Sequence, residues 1–446
     1  MVQATLSFDI AAHVAAIEAN RTVKDDLLAR LRDARPRRRI SVTDLINPRR
    51  AYFQRTRPEI RPSLERKQAM LAGTGFHDVF GHAVSSEEYL EQLVEWEGVV
   101  GVIDIYKDVP TELKTTSGLE ATADPRLARP SYVEQLAMYC ALADRTRGRL
   151  VVYDRGRDGG PSSLFVQDAV FLDLERIRAE ILRRRDLLTG ALERADPGGL
   201  PRCPWSGRGC EYEAVCGCGD VDEAFRPTLA DEAPAFAANP DVARELLDLL
   251  PRPAPRSHVR LGDLIFPRRA HFDAVHPVQE TDEDRLGDLE RRGWYKALRD
   301  ALDFSRGGES AKRPVRIGEL ADLVLYHRGM PTILRTAKLH SLASRDAVVR
   351  LFPNHVARLA FECALAGADR GRLVIYYERL RDEDSRLMVY DLTFRDLEGV
   401  RREAEGRLAD LAQAREGDLD PRRLPACPTW MAKRCPHQPD CGCPAA

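Results

Sequence analysis

The chain has 446 residues, 43% hydrophobic and 31% charged, with a formal net charge of −2. At about 100–200 residues per domain this allows two to four globular domains, and it excludes a globally basic coat for nucleic acid while leaving room for a local basic channel. No apolar run approaches the roughly 20 residues that span a bilayer. The opening MVQATLSFDIAAHVAAIEAN lacks a basic segment followed by a long apolar one, so the expectation is no secretory signal and a cytoplasmic location. Only 8 of the 68 basic residues are lysine, so a lysine, where it occurs, carries information.

In chain order, apolar residues at Val23, Leu27, Leu28 and Leu31 recur at helical spacing. SVTDLIN offers Ser or Thr to cap a helix beginning near Asp44. A further helix is expected over Lys67 to Val84. EGVVGVIDIYKDVPTELKTT then holds two apolar runs broken by Lys107-Asp108-Val109-Pro110, which reads as a β-hairpin. A helix over Ser131 to Ala143, a strand at RLVVYDR, a second strand near LFVQDAVF and an Arg-rich helix from Leu172 to Ala195 lead to a cysteine-rich tail. That order implies an α/β core with a mixed sheet.

The series then repeats. ANRTVKDDLLARL at Ala19 matches ANPDVARELLDLL at Ala238, an offset of 219 that holds through TDLINPRRAYF and GDLIFPRRAHF. It grows to 223 at YCALADRTRGRLVVY and ECALAGADRGRLVIY, and to 224–225 at the tails, the drift that loop insertions produce in a duplicated chain. The expected organisation is an N-terminal helical segment over 1–37, a first copy over 38–220, a linker and helix over 221–255, and a second copy over 256–446. Between the copies, DVDEAFRPTLADEAPAFAA reads as a loop or poorly ordered linker.

The hairpin of the first copy places Asp104 on one strand and Glu112 and Lys114 on the next. Alternation turns Glu112 and Lys114 to one face and Leu113 to the core. Two carboxylates there can hold Mg²⁺ or Mn²⁺ through oxygen, and the lysine can orient or deprotonate a water for attack on phosphorus. A lone E-x-K is ordinarily a solvated pair. Two features separate this one: the rarity of lysine, and the second copy, where PTELKTT becomes PTILRTA with Ile333 and Arg335. His77 in GTGFHDVFG, by itself a surface or core histidine, would complete a His/Asp/Glu ligand set. Gln135 and Tyr139 in SYVEQLAMY share a helical face and could bind phosphate or base, or form a surface pair.

Eight of the ten cysteines fall in two tails, Cys203, Cys210, Cys216 and Cys218 in the first and Cys427, Cys435, Cys441 and Cys443 in the second. Clustered thiols without an export signal point to a metal rather than to a disulfide framework. Four thiolates suit a [4Fe–4S] cluster, the favoured reading, or a structural zinc. Cys140 and Cys363 lie on apolar helix faces and read as core. The arginine runs ARPRRR at Ala34 and LERIRAEILRRR at Leu174 could line a phosphate path, but interleaved acids favour a solvated face. Tyr52, Phe53 and Tyr132 could stack on bases or belong to the core.

As an ordered series, His77 in GTGFH, Asp104 in GVIDIY, Glu112 and Lys114 in ELK, and Gln135 with Tyr139 in QLAMY resemble the motifs of the PD-(D/E)xK nucleases of RecB type. The similarity is to the iron–sulfur exonucleases that include the CRISPR-associated RecB-like exonucleases and the AddB nuclease domain. SVTDLINPRRAYF and CEYEAVC are similar to the ends of that branch, and the resemblance covers nearly all of residues 40–218. It implies a tandem restriction-endonuclease-like mixed-sheet fold and a divalent-metal exonuclease acting on single-stranded DNA ends. His77, Asp104 and Glu112 would bind metal, Lys114 would assist the water, and Gln135 and Tyr139 would contact DNA or hold the site together. Work in DNA repair, recombination or CRISPR adaptation, with protein partners to match, is implied in the same way; oligomeric state is not.

The sequence departs from the family in two places. Its early cluster cysteine corresponds here to Asn47 and Phe266, with Cys218 or Cys443 offering the fourth thiol instead. The second copy loses the chemistry: Tyr295 stands near the histidine position, Asp322 matches Asp104, Ile333 and Arg335 replace the carboxylate and lysine, and Arg358 and Glu362 replace Gln135 and Tyr139. Isoleucine cannot coordinate a cation, and arginine stays protonated. The rival functions are a non-catalytic DNA-binding scaffold and a redox sensor.

Overall fold

A computed structural model describes residues 9–32, 38–117, 124–156, 162–203, 210–220, 229–252, 258–277, 280–304, 310–432 and 435–443. It is mixed α/β, with one mixed sheet in each of two compact units. The units interleave along the chain: Arg32–Arg252 groups with Glu280–Leu298, and Met1–Leu31 with Pro253–Gln279 and Arg299–Ala446.

In the Arg32–Arg252 unit the strand order is Ile40–Ser41, Val99–Tyr106, Pro110–Thr116, Arg147–Asp154, Ser163–Val170 and Ala235–Ala238, and Leu90–Trp96 also pairs with Val99–Tyr106. Pro110–Thr116 runs parallel to Arg147–Asp154, which demands a crossover, and the helix Pro130–Leu142 supplies it. All of Val133 to Ala141 in that helix are buried, because the sheet lies on one side and the helix Leu174–Arg194 on the other. The helix is buried on all sides, and its one buried carboxylate, Glu134, is neutralised by Arg184 at 2.9 and 3.1 Å. The helix Leu64–Val84 starts at Ser63, whose hydroxyl accepts from Arg66 N at 3.2 Å. It crosses the helix Asp282–Ala301 at paired glycines: a Cβ on Gly75 would fall 2.0 Å from the Gly293 carbonyl oxygen. No side chain fits there, so the backbones touch and the residues around His77 are fixed in height.

In the Met1–Leu31 and Arg299–Ala446 unit the order is Val14–Ala19, Leu387–Phe394, Arg370–Tyr377, Met330–Ala337, Leu320–His327 and Ser310–Ile317. Met330–Ala337 is again parallel to its neighbour Arg370–Tyr377, and the crossover helix Pro353–Ala366 again has a buried face, from Val356 to Ala364.

Each sheet is finished by a strand from the wrong half of the sequence. Val14–Ala19, which precedes the first repeat, pairs with Leu387–Phe394 in the register Ile17↔Leu392. Ala235–Ala238, which precedes the second, pairs with Ser163–Val170 in the register Phe236↔Ala169. The same three residue types anchor both. Asn20 Nδ2 donates to Asp391 Oδ2 at 2.8 Å, while Arg372 grips that carboxylate with two bonds of 2.7 and 2.9 Å. Asn239 Nδ2 donates to Asp168 Oδ2 at 2.7 Å, and Arg149 holds Asp168 at 2.6 and 3.0 Å. Each asparagine also caps the helix that follows, through Val23 N and Val242 N.

Two expectations are corrected here. The segment 1–37 was expected to be helical, yet its described part holds the strand Val14–Ala19 beside the helix Arg21–Arg32. The connector was expected to be loop, yet Leu229 and Ala230 are buried in a short 3-10 turn and Ala235–Ala238 is a strand; residues 221–228 lie outside the described residues. Edge strands of six and four residues, both alanine-rich, carry little alternation to read.

Burial acts to raise the Asp391 carboxyl, but bonds from Arg372 and Asn20 outweigh it and hold the group below its usual value. Its stabilising contribution is therefore complete above the ordinary aspartate pKa of about 3.9 and is lost as pH falls through the lowered one. Asn20→Ala, which removes a charge-assisted bond and a helix cap, should cost about 2 kcal/mol. Urea unfolding at neutral pH measures it, and the cost should shrink on acidification.

Candidate functional site

Asp104 sits on the strand Val99–Tyr106 and Glu112 and Lys114 on Pro110–Thr116. The hairpin ladder is short, with register pairs only at Ile105↔Thr111 and Tyr106↔Pro110. Where the strands part, Asp104 Oδ2 takes the place of a backbone acceptor and receives Leu113 N at 2.7 Å. Leu113 packs with Phe76, Phe80 and Tyr153. The Lys114 ammonium contacts Glu112 Oε1 and lies over the Tyr132 ring, 5.6 Å from its centre. From the helix Leu64–Val84, His77 Nδ1 comes to 4.0 Å from Asp104 Oδ2. Tyr139 Oη accepts from Gln135 Nε2 at 2.9 Å. Its ring occupies space that Gly101 leaves open, since a Cβ there would fall 2.8 Å from Tyr139 Cε1.

Glu112 is buried here, while the side chains of His77, Asp104 and Lys114 keep 24, 23 and 19% of their exposure. Burial, with the Lys114 charge, pushes the His77 imidazole down to about 3, so it is neutral at physiological pH. Burial raises Asp104, against the pull of Lys114 and the Leu113 N–H. Burial, reinforced by Asp104, pushes Glu112 up to about 8 in spite of Lys114. For Lys114 burial acts downward, but Glu112 and Asp104 outweigh it and the amine holds its proton more tightly than usual. Tyr139 is raised by burial and by Glu112. Gln135 and Tyr139 are themselves buried, which suits holding the site rather than touching a polymer. Glu112 Oε2 and His77 Nε2 are buried with no hydrogen-bond partner among the described residues.

The matching residues of the second copy do different work. Ile333 is buried in the core. Arg358 Nε donates to Glu362 Oε1 at 2.8 Å and its Nη2 lies 3.7 Å from Asp322 Oδ2, so a guanidinium neutralises both acids. Arg335 Nε reaches His355 Nδ1 at 3.3 Å. Tyr295 belongs to the other unit.

All ten cysteines are free and buried. In the first tail Cys203 Sγ donates to Asn47 Oδ1 at 3.0 Å, and Cys218 N donates to Cys216 Sγ at 3.4 Å. Burial, then Cys218, raises Cys203, and burial pushes Cys216 up to about 11. In the second, Cys427 N donates to Cys443 Sγ at 3.3 Å, and burial and Cys443 push Cys427 up to about 12. Phe266, like Asn47 a residue where a cysteine would stand, packs beside this tail. Among the described residues, no three His, Cys, Asp or Glu side chains are arranged to hold a metal ion, in either tail or at the hairpin.

Two buried arginines that the sequence reading missed tie the tails down. Arg49 donates to the carbonyls of Cys216 at 2.8 Å, Pro197 at 3.1 Å and Leu200 at 2.8 Å. Arg268 reaches Leu424 O at 3.0 and 2.6 Å, Cys441 O at 3.1 Å and Cys443 Sγ at 3.9 Å. The signal was present, because the Pro-Arg-Arg triplet recurs unchanged at the 219 offset. The arginine runs do not offer a free phosphate path. On the helix Leu174–Arg194, Arg176, Arg178, Arg183, Arg184 and Arg185 all pair with acids; of ARPRRR, residues 34–37 lie outside the described residues. Tyr52 and Phe53 are core beside the first tail, and Cys140 and Cys363 are core as expected.

No family model and no curated protein matches the chain. Among solved structures, a chain titled "Crystal structure of SSO0001" is 17% identical, over 44% of this chain and 90% of that one, with a TM-score of 0.27, too low to carry an argument. Among the described residues no helix is long and apolar enough to cross a membrane.

Arg49→Ala would leave three carbonyl groups without their donor and should destabilise the first tail by about 3 kcal/mol or more. Timed alkylation of metal-free protein, read by peptide mass, should then show Cys203 and Cys216 reacting faster while Cys427 and Cys441 keep their wild-type rates. Unchanged rates at all four would remove the clamp from the account.

Proposed function

We propose that residues 38–220 form a divalent-metal-dependent DNA nuclease with a PD-(D/E)xK-type, restriction-endonuclease-like sheet. Residues 256–446 are then a tandem copy of that fold without its chemistry, and each copy closes on a four-cysteine metal site. The observation that supports this reading is the proximity of His77 to Asp104, 4.0 Å apart, and of Lys114 to Glu112, on one helix and two neighbouring strands.

The donors suit a hard cation: two carboxyls, a neutral imidazole, and buried Glu112 Oε2 and His77 Nε2 atoms without hydrogen bonds. Asp104, Glu112 and His77 would hold Mg²⁺ or Mn²⁺, which when bound supplies positive charge for the developing phosphorane and a more acidic water. Glu112 fixes the Lys114 ammonium, which donates to a phosphate oxygen or orients the attacking water, and its retained proton favours those roles over general base. Gln135 and Tyr139 brace the strand that carries Asp104. In the tails, an iron–sulfur cluster or zinc follows from the resemblance and from four clustered thiols per tail, which among the described residues are not arranged around an ion; a bound metal would draw them together, and its binding energy would become folding energy. Single-stranded DNA ends as substrate, and a setting in DNA repair, recombination or CRISPR adaptation, follow from the resemblance of the motif series.

Purified full-length protein with Mn²⁺ should degrade end-labelled single-stranded DNA. Lys114→Ala should slow this by about 100-fold or more with an unchanged circular-dichroism spectrum, whereas Arg335→Ala in the second copy should leave the rate within about twofold of wild type. Full activity in the Lys114→Ala protein would refute the assignment.

A further inference from the structure

A cavity of about 500 Å³ lies in the unit that contains Arg299–Ala446, beside the Asn20 anchor of the edge strand. Its wall is cationic: Arg21 and Lys24 from the helix Arg21–Arg32, and Arg345 from the helix Arg345–Leu351. Against these stands one lining carboxylate, Asp25. Among the described residues none of the three basic side chains makes an ion pair or a hydrogen bond; the Lys24 charge reaches Asp382 only at longer range. Three cations without acid partners around one hollow form a positive potential that a dianion would satisfy. The start of the twelve-residue helix Arg21–Arg32, whose Asn20 cap also lines the cavity, adds its partial positive charge.

The rest of the lining is partly apolar, with Met388, Val389, Tyr390 and Leu342, and the Tyr390 hydroxyl is occupied, donating to the carbonyl of Ala343, itself a lining residue, at 3.0 Å. The size falls in the usual small-ligand range of about 300–1,000 Å³, larger than a bare phosphate needs. We propose that this cavity binds a phosphate monoester joined to a compact, partly apolar group, the chemistry offered by a 5′-mononucleotide or by the phosphorylated end of a DNA strand. In the other unit Pro240, Ala243 and Arg244 stand where Arg21, Lys24 and Asp25 do, and the cations there are neutralised, Arg244 by Asp282 and Arg126 by Asp124. The site is thus a property of the copy that has lost the nuclease residues, and it does not depend on the nuclease reading.

Calorimetric titration of the full-length protein in EDTA tests it, with deoxyadenosine 5′-monophosphate, deoxyadenosine, inorganic phosphate, and a short oligonucleotide with or without a 5′-phosphate as probes. The monophosphate or the 5′-phosphorylated strand should bind, the nucleoside and the 5′-hydroxyl strand should bind at least about tenfold more weakly, and inorganic phosphate should fall between. Binding by the monophosphate assigns a free nucleotide, and binding by the phosphorylated strand alone assigns a DNA end. Lys24→Ser with Arg345→Ser, both at the surface, should weaken binding by at least about tenfold; Lys24→Arg should restore it in the single-site background. Equal binding of nucleoside and monophosphate, undiminished binding in the double variant, or no binding by any probe would overturn the proposal.

Discussion

Placing two carboxyls and an ammonium together away from water is expensive, and the first copy does so within one turn of hairpin. The cost of burying Asp104 and Glu112 is offset only by Lys114 and by the Leu113 N–H, so each group is present on condition of the others. A protein that needed only a stable hairpin would have no reason to keep this set, since hydrophobic replacements of like size are usually as stable or more so. The second copy illustrates that alternative: Ile333 fills the glutamate position as core, and the remaining acids are cancelled by Arg358.

The site also explains features of the fold around it. The parting of the strands after Ile105 and Thr111 leaves a backbone N–H for Asp104 to satisfy. The glycine at 101 admits the Tyr139 ring, and the glycine pair at 75 and 293 sets the helix that delivers His77. Outside the site, the recurring asparagine–aspartate–arginine anchor holds an edge strand from one repeat in the sheet of the other. Val14–Ala19 thereby joins a sheet whose other strands lie within residues 310–394, so that sheet draws on both ends of the chain.

Much of this was legible in the sequence. The helices and the hairpin follow from hydrophobic periodicity and turn chemistry, since those elements are long and strongly patterned, whereas Asp104, Glu112 and Lys114 stood out by the hairpin and the rarity of lysine, and His77, Gln135 and Tyr139 joined them through the resemblance of the motif series. The edge strands Val14–Ala19 and Ala235–Ala238 were not legible, because pairing to a distant strand leaves no local trace in a short alanine-rich segment. The clamps at Arg49 and Arg268 were hidden in what looked like ordinary surface arginines; only their repetition beside a buried tail marks them. The cationic cavity was unreadable for the same reason: Lys24 and Arg345 are 321 positions apart in the chain and meet only in three dimensions.

Direct titration of Mn²⁺ into the chelator-stripped protein, followed by the loss of its free-ion magnetic resonance signal, addresses the buried set of acids and imidazole without relying on turnover. The account predicts a saturable Mn²⁺ site in wild-type protein that disappears in a folded Asp104→Asn, Glu112→Gln variant. The same stoichiometry and affinity in both proteins would show that these side chains hold no ion, and the reading of the first copy as a metal-dependent enzyme would fail.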